Sequence, residues 1–218
     1  MPILVLSTRN AHKVREIRQI LPADFQCLTL DDFPGTPPVV EDAATFEGNA
    51  IKKAVALAKF IASAAPQPST LNPQLFSILA DDSGLEVDAL NGAPGVLSAR
   101  FAADSQAAGN SPDAANNAKL LRLLAAVSLE KRTARFRCVL ALVKCGAEVA
   151  ALETPMAFHG VCEGRIAFAP AGDGGFGYDP LFIPTGHDLS FAQLGAEVKN
   201  GISHRARALG KLRSFLAS

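Results

Sequence analysis

Apolar residues recur along the chain with two different spacings, and the switches between them lay out the elements. Ile3-Leu4-Val5-Leu6 is an uninterrupted apolar run, the pattern of a strand covered on both faces. The polar residues Ser7 to Asn10 separate it from a helical pattern in which Val14, Ile17 and Leu21 share one face. A second strand is predicted over Phe25 to Leu30, then a proline-rich loop from Asp31 to Val40. A long helix is predicted from Ala43 to about Ala62, with Asp42 as its cap. Ala50, Ala54, Leu57 and Ile61 form its core face, and Asn49 and Lys53 lie together at one edge of that face. Residues 64 to 75, with Pro66, Pro68 and Pro73 among serine and threonine, read as a surface loop. Phe76 to Ala80 is a buried strand expected to stop at Asp81-Asp82, where Ser83-Gly84 turns the chain.

Beyond that turn, Leu85 to Leu90 is short and apolar, Asn91 to Gly95 is a turn cluster, and Asp104 to Pro112 is a loop. Pro112 starts a helix to about Val127, with Ala118, Leu121 and Leu124 inside. Two long strands follow, Ala134 to Lys144 and Glu148 to Glu163, joined at Cys145-Gly146 as a hairpin. The last helix runs to Leu216, capped by Ser203, with Leu209, Leu212 and Leu216 toward the core.

Composition narrows the class. With 218 residues, 49% hydrophobic and 19% charged, the chain is an ordinary globular protein with a sizeable core. Its 21 basic and 21 acidic residues cancel, which argues against a nucleic-acid surface but leaves room for a local basic pocket for a small anion. Cys27, Cys138, Cys145 and Cys162 have neither CxxC nor zinc spacing and read as thiols in a reducing compartment. The N-terminal apolar run is too short for a signal peptide or a membrane span. A cytoplasmic protein with no membrane partner is expected.

Four stretches carry candidate chemistry. Asp81-Asp82 lies at the carboxyl end of a buried strand, where open α/β sheets place their ligands. Adjacent carboxylates repel unless a cation or proton relieves them, which suits Mg²⁺; the same residues also make a good turn. Thr8, Asn10 and Lys13 stand at a strand-to-helix junction that aims N–H groups at an anion, although the glycines of a Walker loop are missing. Lys13 also sets a cation against the positive helix end. Lys53 reads either as a solvated helix lysine or as part of this chemistry. Gly172-Asp173-Gly174-Gly175-Phe176-Gly177 matches GxGxxG, but Tyr178-Asp179-Pro180 breaks the chain where a dinucleotide fold needs a helix. What remains is a glycine loop presenting Phe176, as core anchor or stacking platform, and the carboxylate of Asp179. Lys199, His204 and Arg205 gather cations around one helix start, an anion or carbonyl site.

Taken in order, Thr8 to Lys13, Glu41 with Phe46-Glu47-Gly48-Asn49-Ala50-Ile51-Lys52-Lys53-Ala54, Ala80-Asp81-Asp82-Ser83-Gly84-Leu85, Gly95 to Phe101, Gly175-Phe176-Gly177-Tyr178-Asp179-Pro180 and Ser203-His204-Arg205 resemble the inosine/xanthosine triphosphate pyrophosphatases. The resemblance spans nearly the whole chain apart from the 64–75 loop. One departure is Arg9, where many relatives carry glycine. Members of that family are house-cleaning enzymes that hydrolyse aberrant purine nucleoside triphosphates (ITP, dITP, XTP) to monophosphate and pyrophosphate. The resemblance implies one pyrophosphatase domain over residues 1–218, with a two-lobed α/β fold, a long mixed central sheet flanked by helices and an active site in the cleft between lobes. It also implies a homodimer with a nucleoside triphosphate substrate and no nucleic-acid partner.

By motif position it makes Asp82 the general base and a metal ligand, with Glu41 sharing the metal and Asp81 supporting it. The cofactor is Mg²⁺, with Mn²⁺ able to substitute. Lys53 joins Asp82 in the catalytic group, and Lys13, Lys53 and Lys199 hold phosphate oxygens. Thr8, Asn10, Ser83, Gly177 and Tyr178 contact substrate, Phe176 stacks on the base, and Asp179, His204 and Arg205 read its edge. Two rivals fare worse. An oxidoreductase using the glycine loop conflicts with Pro180, and a binding protein without catalysis leaves Glu41, Asp82 and the lysines unexplained. A pyrophosphatase preferring another base, such as a modified pyrimidine, stays open.

Overall fold

Strand β1 (Ile3–Leu6) is buried at all four positions, as its unbroken apolar run predicts. It pairs in parallel with β2 (Gln26–Leu28) on one side and β3 (Phe76–Val87) on the other. The computed structural model describes residues 3–22, 25–63, 76–103, 109–145 and 154–217. Its six-stranded sheet has the order β2-β1-β3-β4-β5-β6, with β4 over Thr133–Cys145, β5 over Met156–Ile166 and β6 over Phe182–Pro184. β5 and β6 are antiparallel, so the sheet is mixed. Among the described residues five α-helices accompany it: α1 (Ala11–Ile20), α2 (Phe46–Ser63), α3 (Asp113–Leu123), α4 (Phe191–Ile202) and α5 (His204–Leu216). The α/β architecture expected from the sequence is the one found.

The chain divides into two compact units. The first comprises Met1–Asp82, Val139–His159 and Ala208–Ser218; the second comprises Ser83–Cys138 and Gly160–Arg207. In the first, α2 buries Phe46, Ala50, Ala54, Leu57 and Ile61, a stripe at helical spacing. Full burial of Leu57 or Ile61 contributes about 2 kcal/mol of transfer free energy. The second unit has its own core of Leu85, Val87, Leu120, Leu124, Phe136, Ile166, Phe182 and Phe191. The rings of Phe136 and Phe182 lie 4.6 Å apart within it.

Four expectations are corrected. β3 does not end at Asp81-Asp82 but runs unbroken through Ser83 and Gly84 to Val87. The apolar Leu85 and Val87 are fully buried, and the Leu85 N–H donates to Ser98 Oγ at 2.9 Å, so tertiary partners override turn chemistry. α2 begins at Phe46 rather than Ala43, and its cap is supplied by Thr45 instead of Asp42. Thr45 Oγ1 accepts from Gly48 N at 3.0 Å, while Asp42 pairs with Lys52. In α3 the inward face is Asn116, Asn117 and Leu120, with Leu124 just beyond the helix, and Ala118 is exposed. The second strand is shorter than Phe25 to Leu30 and gives way to a turn of 3₁₀ helix at Leu30–Asp32. The 64–75 loop, the start of the loop at Asp104, the turn at Gly146 and the strand start at Glu148 fall outside the described residues.

Candidate active site

In the first unit, α2 turns Lys53 into its buried face, which is apolar apart from this lysine and Asn49. Lys53 is only 9% exposed, so its ammonium requires partners. It has three donors and three acceptors: Glu41 Oε2 at 2.9 Å, the Asp81 carbonyl at 2.8 Å and Asp82 Oδ1 at 3.1 Å. The solvated-lysine alternative is thereby excluded. Burial pulls the Lys53 pKa down, but Asp82 and Glu41 outweigh it and hold the group above the ordinary lysine value. Burial also pushes Asp82 above the usual carboxylate range, with Lys53 and Lys13 opposing. For Glu41, burial acts upward too, yet the charge and hydrogen bond of Lys53 leave it below its ordinary value. Two neighbouring carboxyls are thus pushed in opposite directions, an arrangement that sets one apart as proton acceptor.

Successive side chains of a strand project to opposite faces. Asp81 and Asp82 accordingly take different cations: Asp81 Oδ1 meets Lys13 Nζ at 2.5 Å, while Asp82 meets Lys53. Lys13 is placed by α1, whose cap is Asn10. Asn10 Oδ1 accepts from His12 N at 3.0 Å and Lys13 N at 3.1 Å, and Thr8 Oγ1 accepts from Asn10 N at 3.2 Å. Arg9, the departure noted above, donates to the Thr36 carbonyl at 2.6 Å and so ties the loop before α1 to the proline-rich segment. Ser7 Oγ donates to the Lys53 carbonyl at 3.1 Å, joining β1 to α2.

Among the described residues no group of three or more His, Cys, Asp and Glu side chains gathers into a ready-made metal centre. The residues do fit a hard cation completed by other ligands. Asp82 Oδ2 is buried and makes no hydrogen bond among the described residues. An orphaned carboxylate oxygen is costly unless a ligand uses it. Mg²⁺ is commonly held by one or two carboxylates together with substrate phosphates, and Asp82 with Glu41 supplies such a pair.

In the second unit the glycine loop is folded around Asp179. Asp179 Oδ2 accepts from Phe176 N at 2.8 Å and from Lys199 Nζ at 2.5 Å. Gly175 has φ +74°, and a Cβ there would fall 2.1 Å from Asp179 Oδ2, so only glycine fits. Lys199 Nζ stands 4.6 Å from the centroid of the half-buried Phe176 ring, and Arg205 Cζ stands 6.0 Å from it. Arg205, 1% exposed, also donates to Ser83 Oγ at 2.9 Å. His204 opens α5, is buried, and stacks on Phe136 with centroids 4.8 Å apart. Tyr178 is buried, and its hydroxyl donates to the Ser98 carbonyl at 2.8 Å. Burial, helped by Asp113, raises its pKa well above the ordinary phenol value.

The sequence candidates therefore fall into two sets. Thr8, Asn10, Lys13, Glu41, Lys53, Asp81 and Asp82 belong to the first unit. Ser83, Phe176, Gly177, Tyr178, Asp179, Lys199, His204 and Arg205 belong to the second. No helix follows the glycine loop directly; β6 comes next, and α4 starts only at Phe191, so the dinucleotide reading is excluded. Sequence reasoning missed α4, which carries Lys199, although Ser190 and Gln193 form a capping box that marks its start. It also missed Asp113 and Asn117, both hydrogen-bonded to Gly177.

Comparison with known proteins decides the family. The Ham1 family model matches residues 4–215. The chain belongs to the Ham1 family. Among similar proteins, a dITP/XTP pyrophosphatase of Desulforamulus reducens is 47% identical, covering 98% of this chain and 94% of that protein. One from Geobacter sulfurreducens, of the same name, is 46% identical over 99% and 97% of the two chains. The solved structure of a HAM1 protein from Coxiella burnetii superposes with TM-score 0.79 at 37% identity, covering 100% of this chain and 99% of its own.

Proposed function

We propose that this Ham1-family chain hydrolyses aberrant purine nucleoside triphosphates (ITP, dITP and XTP) to the monophosphate and pyrophosphate, removing them from the nucleotide pool. The observation that carries the reading is the buried Lys53 joining Glu41 and Asp82, with one oxygen of Asp82 making no hydrogen bond among the described residues. The relatives' names supply the substrate class. Asp82, raised in pKa, takes the proton of the attacking water as its oxygen bonds to phosphorus. The bond between the α and β phosphates breaks, and pyrophosphate leaves. Lys13 and Lys53 balance the charge of the phosphate oxygens. Glu41 and Asp82, with Asp81 in support, are the residues that would hold Mg²⁺ or Mn²⁺, which supplies charge neutralisation on the polyphosphate.

In the second unit, Phe176 offers its ring to the base, while Arg205 and His204 present donors to the 6-oxygen of hypoxanthine or xanthine. Lys199, engaged with Asp179, holds the Phe176 loop. Further parts of the reading are a homodimer and a cytoplasmic location.

The test is to incubate the protein with ITP and Mg²⁺ and separate the products. Inosine monophosphate and pyrophosphate should appear together and in equal amounts. Inosine diphosphate with orthophosphate would place the attack elsewhere. No turnover of ITP, dITP or XTP would overturn the reading.

A further inference from the structure

Helix α3 presents an unusual inward face. Asn116 and Asn117 are buried where the apolar spacing of the helix predicts hydrophobic side chains. Buried amides persist when their hydrogen bonds are met, so their partners show what they are for. Asn116 Oδ1 accepts from Ala102 N at 2.7 Å, and its Nδ2 donates to the Ala99 carbonyl at 3.3 Å. Those bonds pin α3 to the end of the 3₁₀ helix at Gly95–Arg100 and to the residues just after it.

Asn117 and Asp113 do something different. Asp113 Oδ2 accepts from Gly177 N at 2.6 Å, and Asn117 Nδ2 donates to the Gly177 carbonyl at 3.0 Å. The two side chains are one helical turn apart and share a face. Their two bonds fall on the two peptide planes that flank the Gly177 Cα, so φ and ψ at that residue are fixed from outside. Gly177 has φ +63°, within the range that glycine visits at little cost and leaves as readily. Asn117 Oδ1 is buried and makes no hydrogen bond among the described residues, so the Gly177 contact is what the amide secures. One residue before Gly177 stands Phe176, whose N–H is held by Asp179.

We propose that Asp113 and Asn117 are positioning residues that lock Gly177 and thereby hold the Phe176 ring ready for a purine base. The inference rests on the reading of Phe176 as the base platform. A loop ordered before the ligand arrives spares the ligand the entropy of ordering it. Loosening the lock should therefore weaken substrate binding and leave the chemistry, performed by residues of the first unit, unchanged.

Steady-state kinetics with ITP on four variants tests this. Phe176→Ala establishes the platform, and Asp113→Ala and Asn117→Ala each remove one bond. Asp113→Asn keeps an acceptor in place. Asp113 is exposed, so its variants keep the core intact. Asp113→Ala and Asn117→Ala should each raise KM for ITP about tenfold, the worth of one or two hydrogen bonds, with kcat within about twofold. Asp113→Asn should restore near-normal KM, which a merely structural role at the helix start would not require. Amide exchange at Gly177 and Tyr178 should quicken in the two alanine variants and not in Asp113→Asn. If Phe176→Ala raises KM while neither alanine variant does, the lock is overturned and the platform stands. If Phe176→Ala leaves KM unchanged, the platform reading fails and takes the lock with it.

Discussion

The ammonium of Lys53 lies 3.1 Å from Asp82 Oδ1, although the lysine is delivered from the apolar face of α2 and the aspartate from the middle of β3. Neither element would bury its charge alone. Each is tolerated because the other is there, with Glu41 and the Asp81 carbonyl completing the set. Removing one partner of a buried pair strands the remaining charges, at a typical cost of about 3 kcal/mol.

Lys53→Met should accordingly lower the unfolding free energy by about 3 kcal/mol and abolish turnover together. Urea unfolding at pH 7 measures the first, and product formation from ITP the second. Unchanged stability would mean that Glu41 and Asp82 are served well enough by other groups.

Asp82→Asn should behave differently. The carboxylate is 7% exposed, burial disfavours its charge, and one of its oxygens makes no hydrogen bond among the described residues, while Lys53 keeps Glu41 and the Asp81 carbonyl as partners when Asp82 is neutralised. The amide should leave the melting temperature unchanged or slightly higher, while kcat falls by roughly 10²-fold or more, the usual worth of a general base. Near-normal kcat would remove Asp82 from that role.

Base choice is expected to rest on Arg205. A guanidinium only donates, so adenine, with an amino group at position 6, would set donor against donor. Sites built this way can discriminate by about 10⁴-fold. Arg205→Ala should narrow the ratio of kcat/KM for ITP over ATP, chiefly by lowering the ITP value. An equal loss for both nucleotides would mean that Arg205, which also donates to Ser83, acts through structure instead.

The cysteines give a pH signature free of the active site. Burial pushes Cys145 and Cys162 from an ordinary 9.0 to about 11, with Arg207 opposing at Cys162. An acid whose folded pKa is raised keeps its proton in the folded state after the unfolded chain has lost it. Stability is then full below pH 9 and falls as pH rises from about 9 toward 11. Melting temperature should decline across that window, and the Cys145→Ala, Cys162→Ala double variant should flatten the decline. At pH 8 a thiol reagent should reach the half-exposed Cys27 first and the other cysteines only after denaturant is added.

What the sequence made legible was whatever periodicity and local chemistry control. β1, the apolar stripe of α2, the turn at Asn91 to Gly95 and the cap at Ser203 are of this kind. The strand through Ser83-Gly84 was not, because turn residues can extend when partners such as Ser98 take up the backbone. α4 was hidden by Gly195, which sits inside it at φ +79° and interrupts the helical pattern. Asn116 and Asn117 broke the apolar rule of α3 because their partners, Ala99, Ala102 and Gly177, are brought to them only by the fold. Lys53 could be placed on its helix from sequence, but its burial could not, since three acceptors from two separate segments, the Glu41 loop and β3, are needed to permit it.

A lysine whose three protons are all engaged and whose pKa stands above the ordinary value has almost no free amine to offer an electrophile. Acylating reagents will find Lys53 only in molecules where Glu41 and Asp82 have momentarily let go. The rate at which it is labelled is therefore a clock for that opening, readable by mass spectrometry on the unmodified protein.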